Sequence, residues 1–253
     1  MIGQVEAIWQ AIEPSLPGFT VEILPEVDST NSELMRRARA GHTDPVLLVA
    51  QRQTAGRGRL GRGWNSAEGA SLTFSLGMML APQDWSGLSL AVGVTLAESL
   101  HPAIRLKWPN DLWLGDRKLG GILIETASFG DGETRRYAVV GVGINLAAPG
   151  AAGFTTAPAW LRELLPGVDP GQGLLRVAAP LVQAVKTFEL AGFTAFQARF
   201  DARDVLRDRA VVLSDGTHGT AHGTSEAGAL LVHTAGGMHT VTSAEVSVRP
   251  AGI

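Results

Sequence analysis

The residues with the most evident chemistry lie in one run, Thr54-Ala55-Gly56-Arg57-Gly58-Arg59-Leu60-Gly61-Arg62-Gly63-Trp64. Four glycines alternate with three arginines, a tryptophan closes the run, and Arg52 upstream adds a fourth positive charge. No acid falls between Gln51 and Trp64. Glycine lets a backbone approach an anion and turn its N–H groups inward. Arginine supplies forked donors for phosphate oxygens, and tryptophan offers a flat face for a base. Alone, the run reads equally well as a flexible, solvated basic loop. A second cluster tips the balance: Lys107-Trp108-Pro109-Asn110-Asp111, followed by Lys118 and Gly120-Gly121. Its plain structural reading is a strand end and turn with Asp111 paired to a surface lysine. Its chemical reading is two compact cations that neutralise a carboxylate and a phosphate as they meet. The two clusters together suggest attack of an acid on a nucleotide phosphate.

Composition narrows the class. The 253 residues can bury a substantial core, and the 45% apolar and 18% charged fractions are those of a globular chain. A net charge of −3 argues against a generic polyanion binder; positive charge is local to the loop. The chain has no cysteine, which removes disulfides, thiolate nucleophiles and cysteine-ligated metals together. No signal peptide is read at the N-terminus and no apolar stretch is long enough to span a membrane, so a cytoplasmic location is expected. Only three lysines occur against eighteen arginines, and only four asparagines: Asn31, Asn65, Asn110 and Asn145. A coding bias against both would leave them where chemistry resists replacement, and two of the three lysines fall within Lys107–Lys118.

Several elements must position these groups. Residues 4–12 carry apolar spacing of a short helix, and Val21–Leu24 alternates as a strand. Asp28-Ser29-Thr30-Asn31-Ser32-Glu33 opens a helix running to Gly41, with Thr30 and Glu33 fitting a capping box. That cap needs no function, yet clustered Ser, Thr and Asn side chains also suit a small neutral polar ligand. Strands are expected over 46–51, 71–78, 104–107, 112–114, 119–125 and 137–146, the 112–125 pair joined by a turn at Gly115-Asp116-Arg117. Glycines 141 and 143 leave room beside their strand. A helix is expected over 88–100, and a helical pattern from about 157 to 204, clearest over 174–190. Short strands over 210–213, 217–224, 229–234 and 239–242 follow, a small all-β module and a candidate barrel. Its His218, His222, His233 and His239 read as solvent-facing, and no metal is assigned to them. The fold class is therefore α+β: a mixed, mostly antiparallel sheet flanked by helices, residues 1–205, with a C-terminal β domain, residues 206–253.

Four motifs in order carry a family resemblance. Asp28-Ser29-Thr30-Asn31, Gly56–Trp64, Lys107–Asp111 with Lys118–Glu125, and Gly141-Val142-Gly143-Ile144-Asn145-Leu146 resemble the signatures of biotin protein ligases over about residues 26–147. The resemblance implies a class II synthetase-like catalytic domain, an SH3-like C-terminal barrel, and two half-reactions. Biotin is activated with ATP and Mg²⁺ to biotinyl-5′-adenylate, then passed to a lysine of a biotin carboxyl carrier domain of a biotin-dependent carboxylase. By similarity, Ser29, Thr30, Asn31, Gln53, Gly56, Arg57, Lys118, Gly121 and Gly141 face biotin. Arg59, Arg62, Trp64, Asn110 and Asn145 face the nucleotide, and Lys118, Arg57, Lys107 and Asp111 act in catalysis. No protein ligand to the metal is named. The chain starts at the catalytic domain, without the DNA-binding domain of bifunctional members, so no DNA binding is expected, and a homodimer is an option.

Two other readings compete. A lipoate ligase or octanoyl transferase shares the catalytic fold, but its apolar acyl group has no use for Ser29-Thr30-Asn31 with Gln53. A non-catalytic nucleic-acid binder would use the arginine loop on phosphates and Trp64 on a base. Net negative charge and isolated pocket lysines argue against it.

Overall fold

The computed structural model describes residues 2–129, 134–150, 156–242 and 248–250. The chain begins with helix α1 (Ile2–Ile12), strand β1 (Thr20–Val27) and helix α2 (Thr30–Arg39). Strand β2 (Val46–Gln53) leads into the arginine loop, which holds a two-residue ladder of β3 (Gly56–Arg57) with β4 (Gly63–Trp64). Then come β5 (Ser71–Leu80), α3 (Leu88–Leu100), β6 (Arg105–Lys107), β7 (Asp111–Leu114), β8 (Arg117–Ala127) and β9 (Arg136–Asn145). Helices α4 (Pro170–Ala191) and α5 (Gln197–Asp201) precede β10 (Ala210–Leu213), β11 (His218–Thr224), β12 (Leu230–Thr234), β13 (Gly237–Val241) and β14 (Val248–Pro250). No helix among the described residues is long and apolar enough to cross a membrane.

The large sheet has seven strands in the order β1-β2-β5-β9-β8-β7-β6. The β1–β2 pair is parallel and every other pair antiparallel, the mixed sheet expected of the sequence. Both faces are covered, which is why β9 reads as a nearly continuous apolar run and why the Ser and Thr residues of the alternating β5 are buried as well. On one face Leu34, Met35 and Ala38 of α2 pack with Val46, Leu48, Tyr137 and Val139. The alternate residues Leu47, Val49, Leu72, Phe74, Leu76, Ala138 and Val140 point the other way, into the core shared with α1, α3 and α4. Helix α3 is apolar around almost its whole circumference because it lies buried in that core.

The five C-terminal strands form a second, antiparallel sheet, ordered β13-β12-β11-β10-β14. Its interior residues Val211, Ala221, Leu230 and Val232 join the main core without a break. Several contacts fasten it there, two of them at Gly228. Trp108 Nε1 donates to Gly228 O at 3.0 Å, and Gly228 packs so tightly that an added Cβ would stand 2.8 Å from Gly87 Cα.

Two expectations need correction. The segment after residue 157 is not helical from the start: residues 157–159 pair with Lys118, through Lys118 N to Ala157 O and Ala159 N to Lys118 O. The helix waits for Asp169, whose side chain forms a capping box with Gln172. Secondly, the cap of α2 is Ser29, one residue before Thr30. Ser29 is extended, and its Oγ faces Ser32 N, so Thr30 enters the helix with its hydroxyl free for other partners. Glu33 turns to Arg36 and Arg37 instead of reaching back to the cap.

Candidate active site

The polar cluster at the start of α2 is built across four strands. Thr30 donates to Gln53 Oε1 from its backbone N–H at 2.7 Å and from its hydroxyl at 3.1 Å. Ser75 Oγ on β5 lies 2.7 Å from Thr30 Oγ1 and 2.6 Å from Asn31 Oδ1. Asn31 Nδ2 donates to Leu123 O and to Glu125 Oε2 on β8. Ser29, Thr30, Asn31 and Ser75 are each at most 3% exposed, so these bonds form where little water competes. Gly141 makes the arrangement possible: a Cβ there would stand 2.1 Å from Asn31 Oδ1.

The arginine loop folds over the same region. Arg57 reaches Glu125, with Nη2 2.9 and 2.7 Å from its two oxygens. Arg59 turns inward, where burial lowers its pKa, with Asp111 opposing that shift and Arg62 adding to it. Its Nη1 lies 3.4 Å from Asn110 Oδ1. Trp64 lies flat on β9, and an added Cβ at Gly143 would come within 2.4 Å of its ring. The space beside Gly141 and Gly143 is thus taken by Asn31 and Trp64. Trp64 Nε1 is buried with no hydrogen-bond partner, a donor left over for something else.

The lysines sit on the adjoining hairpin. Lys118 Nζ is 2.8 Å from Asp111 Oδ1, and Lys107 is directly opposite Asp111 in the β6–β7 register. The Lys107 ammonium stands 5.3 Å from the centre of the Trp113 ring. Gly121 keeps the surface open beside Lys118, whose Nζ lies 3.4 Å from the Cβ position. Asn110 is fixed by the Ile122 backbone on both sides, and Asn145 by Ala159 O.

Most of these groups line one cavity of about 470 Å³, well within the roughly 300–1,000 Å³ of small-molecule sites. It takes in Arg57, Arg59, Arg62 and Trp64 from the loop and Ser29, Thr30, Asn31 and Gln53 from α2 and β2. Lys107, Asn110, Asp111, Lys118, Gly121, Gly141 and Asn145 complete it. Of the residues that the family resemblance assigns to the site, Gly56 alone is not on the wall. It lies beneath it, where a Cβ would meet Trp64 O at 2.5 Å and Gln53 Nε2 at 2.9 Å. Ser75 and the carboxylate of Glu125 were not foreseen as site residues. Ser75 gave no signal beyond strand alternation. Glu125 showed only as an acid at the end of an apolar strand; that it faces the arginine-rich loop is set by the fold.

Comparison with known proteins identifies the arrangement. Residues 24–145 match the Biotin/lipoate A/B protein ligase family, and residues 210–249 match the biotin protein ligase C-terminal domain. The chain is 35% identical over 250 residues to the bifunctional ligase/repressor BirA of Escherichia coli, covering 93% of this chain and 76% of that protein. It belongs to the biotin protein ligase family. It is also 31% identical to a biotin–[acetyl-CoA-carboxylase] ligase of Paracoccus denitrificans, covering 88% of this chain and 98% of that one. A solved biotin protein ligase of Aquifex aeolicus, in complex with biotin and ATP, superposes with a TM-score of 0.75 at 30% identity. That match covers 91% of this chain and 99% of the other. The four sequence motifs expected of a biotin ligase therefore meet at one cavity in a chain of that family.

Proposed function

We propose that the chain is an ATP-dependent biotin–protein ligase and that the cavity described above carries out both of its half-reactions. In the first, a carboxylate oxygen of biotin attacks the α-phosphorus of ATP; the new C(O)–O–P bond forms as the bond to pyrophosphate breaks. In the second, the amine of a carrier lysine attacks the acyl carbon, the mixed anhydride opens, and AMP leaves with the electron pair.

The observation that carries this reading is the convergence of Arg57, Arg59, Lys107 and Lys118, from separate segments, on a cavity that also holds a buried neutral polar cluster. Two anions must meet in the first step, and preorganised cations offset their repulsion. Lys118, steadied by Asp111, stands by the reacting carboxylate and α-phosphate, with Lys107 adding charge beside it. Arg59 and Arg62 hold phosphates. The buried donors and acceptors of Ser29, Thr30, Asn31 and Gln53 suit a ureido ring, which needs both kinds of partner and no charge. Trp64 covers the base, flanked by Asn145, and its unpaired Nε1 is a donor for the nucleotide. Asn110 keeps Arg59 in place. Gly56 acts from below by leaving Gln53 where it is.

Magnesium fits this cavity as a companion of the substrate phosphates. Among the described residues Asp111 is the single carboxylate on the wall, and Mg²⁺ in nucleotide sites is held by one or two carboxylates with phosphate oxygens and water. Bound there, it would offset negative charge on the phosphates as the two anions close. The acceptor is a biotin carboxyl carrier domain, in keeping with relatives named for acetyl-CoA carboxylase. A cytoplasmic location and a boundary between catalytic and C-terminal β domains near residue 206 belong to the same reading. Incubation with biotin, ATP and Mg²⁺, followed by native mass spectrometry, tests it: biotinyl-adenylate should be retained, with pyrophosphate released. Adenylation of lipoate or octanoate in preference to biotin would overturn it.

A further inference from the structure

We infer that Glu125 is a positioning residue of the ligase reaction, tying the arginine loop to the biotin end of the cavity; this rests on the functional reading above. Its carboxylate accepts from two directions. Arg57 of the loop donates to both oxygens, and the buried Asn31 donates to Oε2 at 2.8 Å. Asn31 continues to Ser75, Ser75 to Thr30, and Thr30 to Gln53 through its backbone N–H. One unbroken line of hydrogen bonds therefore runs from the loop to the proposed ureido partners, and Glu125 is the joint.

The joint has the right chemistry. Glu125 stands between two hollows, because Arg57 lines the main cavity and, with Glu125, a neighbouring groove outside the loop. The loop carries three arginines and no acid, so its charges repel one another and its glycines leave it entropically loose. A fixed carboxylate beneath Arg57 counters both. Its partners are all donors, and Oε2 takes one from each of Asn31 and Arg57 while Oε1 takes a second contact from Arg57. Glutamine keeps an oxygen for one of these positions, turns an amide donor toward Arg57 or Asn31 at the other, and loses the charge that holds the guanidinium. The same carboxylate thus couples biotin capture to the time the loop stays over the acyl-adenylate, before the carrier lysine arrives.

Glu125→Gln and Arg57→Gln remove the contact from opposite ends, and both are compared with the full-length protein. In the unliganded protein, trypsin cleavage after Arg59 and Arg62 should rise about tenfold in each variant, as expected for loss of one charge-assisted contact. With biotin and ATP, Glu125→Gln should raise the KM for biotin and speed biotinyl-adenylate release, each about tenfold, while kcat for pyrophosphate formation changes less than threefold. The melting temperature should fall by only a few degrees. Unchanged loop proteolysis in both variants would overturn the inference, as would wild-type adenylate retention by Glu125→Gln. Failure of the wild-type protein to form the adenylate would instead sink the functional reading, while the proteolysis result would still judge the joint. If Glu125→Gln does not fold, Arg57→Gln alone decides through cleavage at Arg59 and Arg62.

Discussion

Lys118 Nζ and Asp111 Oδ1 are 2.8 Å apart at the β7–β8 hairpin, with Gly121 leaving the ammonium open to the cavity. Lys186, by contrast, is a half-buried α4 side chain away from the cavity wall, donating to Ser15 O. Lys118→Ala should cut biotinyl-adenylate synthesis by roughly 10²–10³, the cost of removing one preorganised electrostatic group. Asp111→Asn leaves the ammonium without its anchor and should cost about tenfold. Lys186→Arg should leave the rate unchanged, because arginine can keep the Ser15 contact. Pyrophosphate release measured on all three variants checks the ranking. Equal sensitivity of Lys118 and Lys186 would remove Lys118 from the reaction and undo the argument from scarce lysines.

Trp64 depends on the bare backbone of Gly143. A methyl group there would sit 2.4–2.8 Å from its ring atoms, closer than any real contact, so the indole must move. Gly143→Ala should raise the KM for ATP by about tenfold, in line with loss of one stacked base contact, and change the KM for biotin little. Steady-state kinetics with each substrate varied in turn separates the two. A change confined to biotin would reassign Trp64.

The reach of sequence reading is itself visible at these positions. Glycines 141 and 143 read as room beside a strand, and room there is; the occupants, Asn31 and Trp64, are set by tertiary packing that no local pattern encodes. The buried apolar run of β2 and the alternation of β5 mark the strands but do not tell that Ser75 faces α2 and completes the Thr30–Asn31 cluster. Capping was foreseen one residue late, because Ser29 and Thr30 are both good caps and only the backbone angles distinguish them. The stretch after residue 157 lost its helical reading to a bridge with Lys118, a contact far away in sequence. The ordered motifs were legible because each requires unusual residues, whereas the Glu125 joint uses a common acid whose role depends on what folds opposite it.

Asn31 and Gly141 make a stricter test of the polar cluster. Gly141→Ala would drive a methyl group to 2.1 Å from Asn31 Oδ1, breaking its contact with Ser75. The single substitution should raise the KM for biotin at least tenfold and destabilise the protein by roughly 2–3 kcal/mol, as overpacking does. Asn31→Ala loses the hydrogen bonds but empties the space that the new methyl needs. The double variant should therefore be more stable than the sum of the singles by about 1 kcal/mol or more, since contacting residues are not additive. Denaturant melts of the four proteins give the coupling. Strict additivity would mean that Asn31 does not lie against Gly141.

Asp204 supplies a prediction at the junction with the C-terminal sheet. It bridges to Leu106, accepts from Leu206 N at 2.9 Å, and is 4% exposed, with Oδ2 left without a partner. Burial pushes its pKa up from 3.8 to about 6, with Asp201 adding to the rise and the Leu206 N–H, Arg207 and Arg105 opposing it. The native state therefore holds this proton between about pH 4 and pH 6 while the unfolded chain has lost it. Its contribution to stability is present below the unfolded pKa and is lost as pH rises through the native value, amounting to roughly 3 kcal/mol for a two-unit shift. Asp204→Asn keeps an oxygen for Leu206 N and cannot ionise. The stability of this variant relative to wild type should climb by about 2–3 kcal/mol from pH 4 to pH 7 and then level off. Denaturant unfolding at a series of pH values measures that difference, and a flat profile would mean that Asp204 ionises in the folded protein as readily as in water.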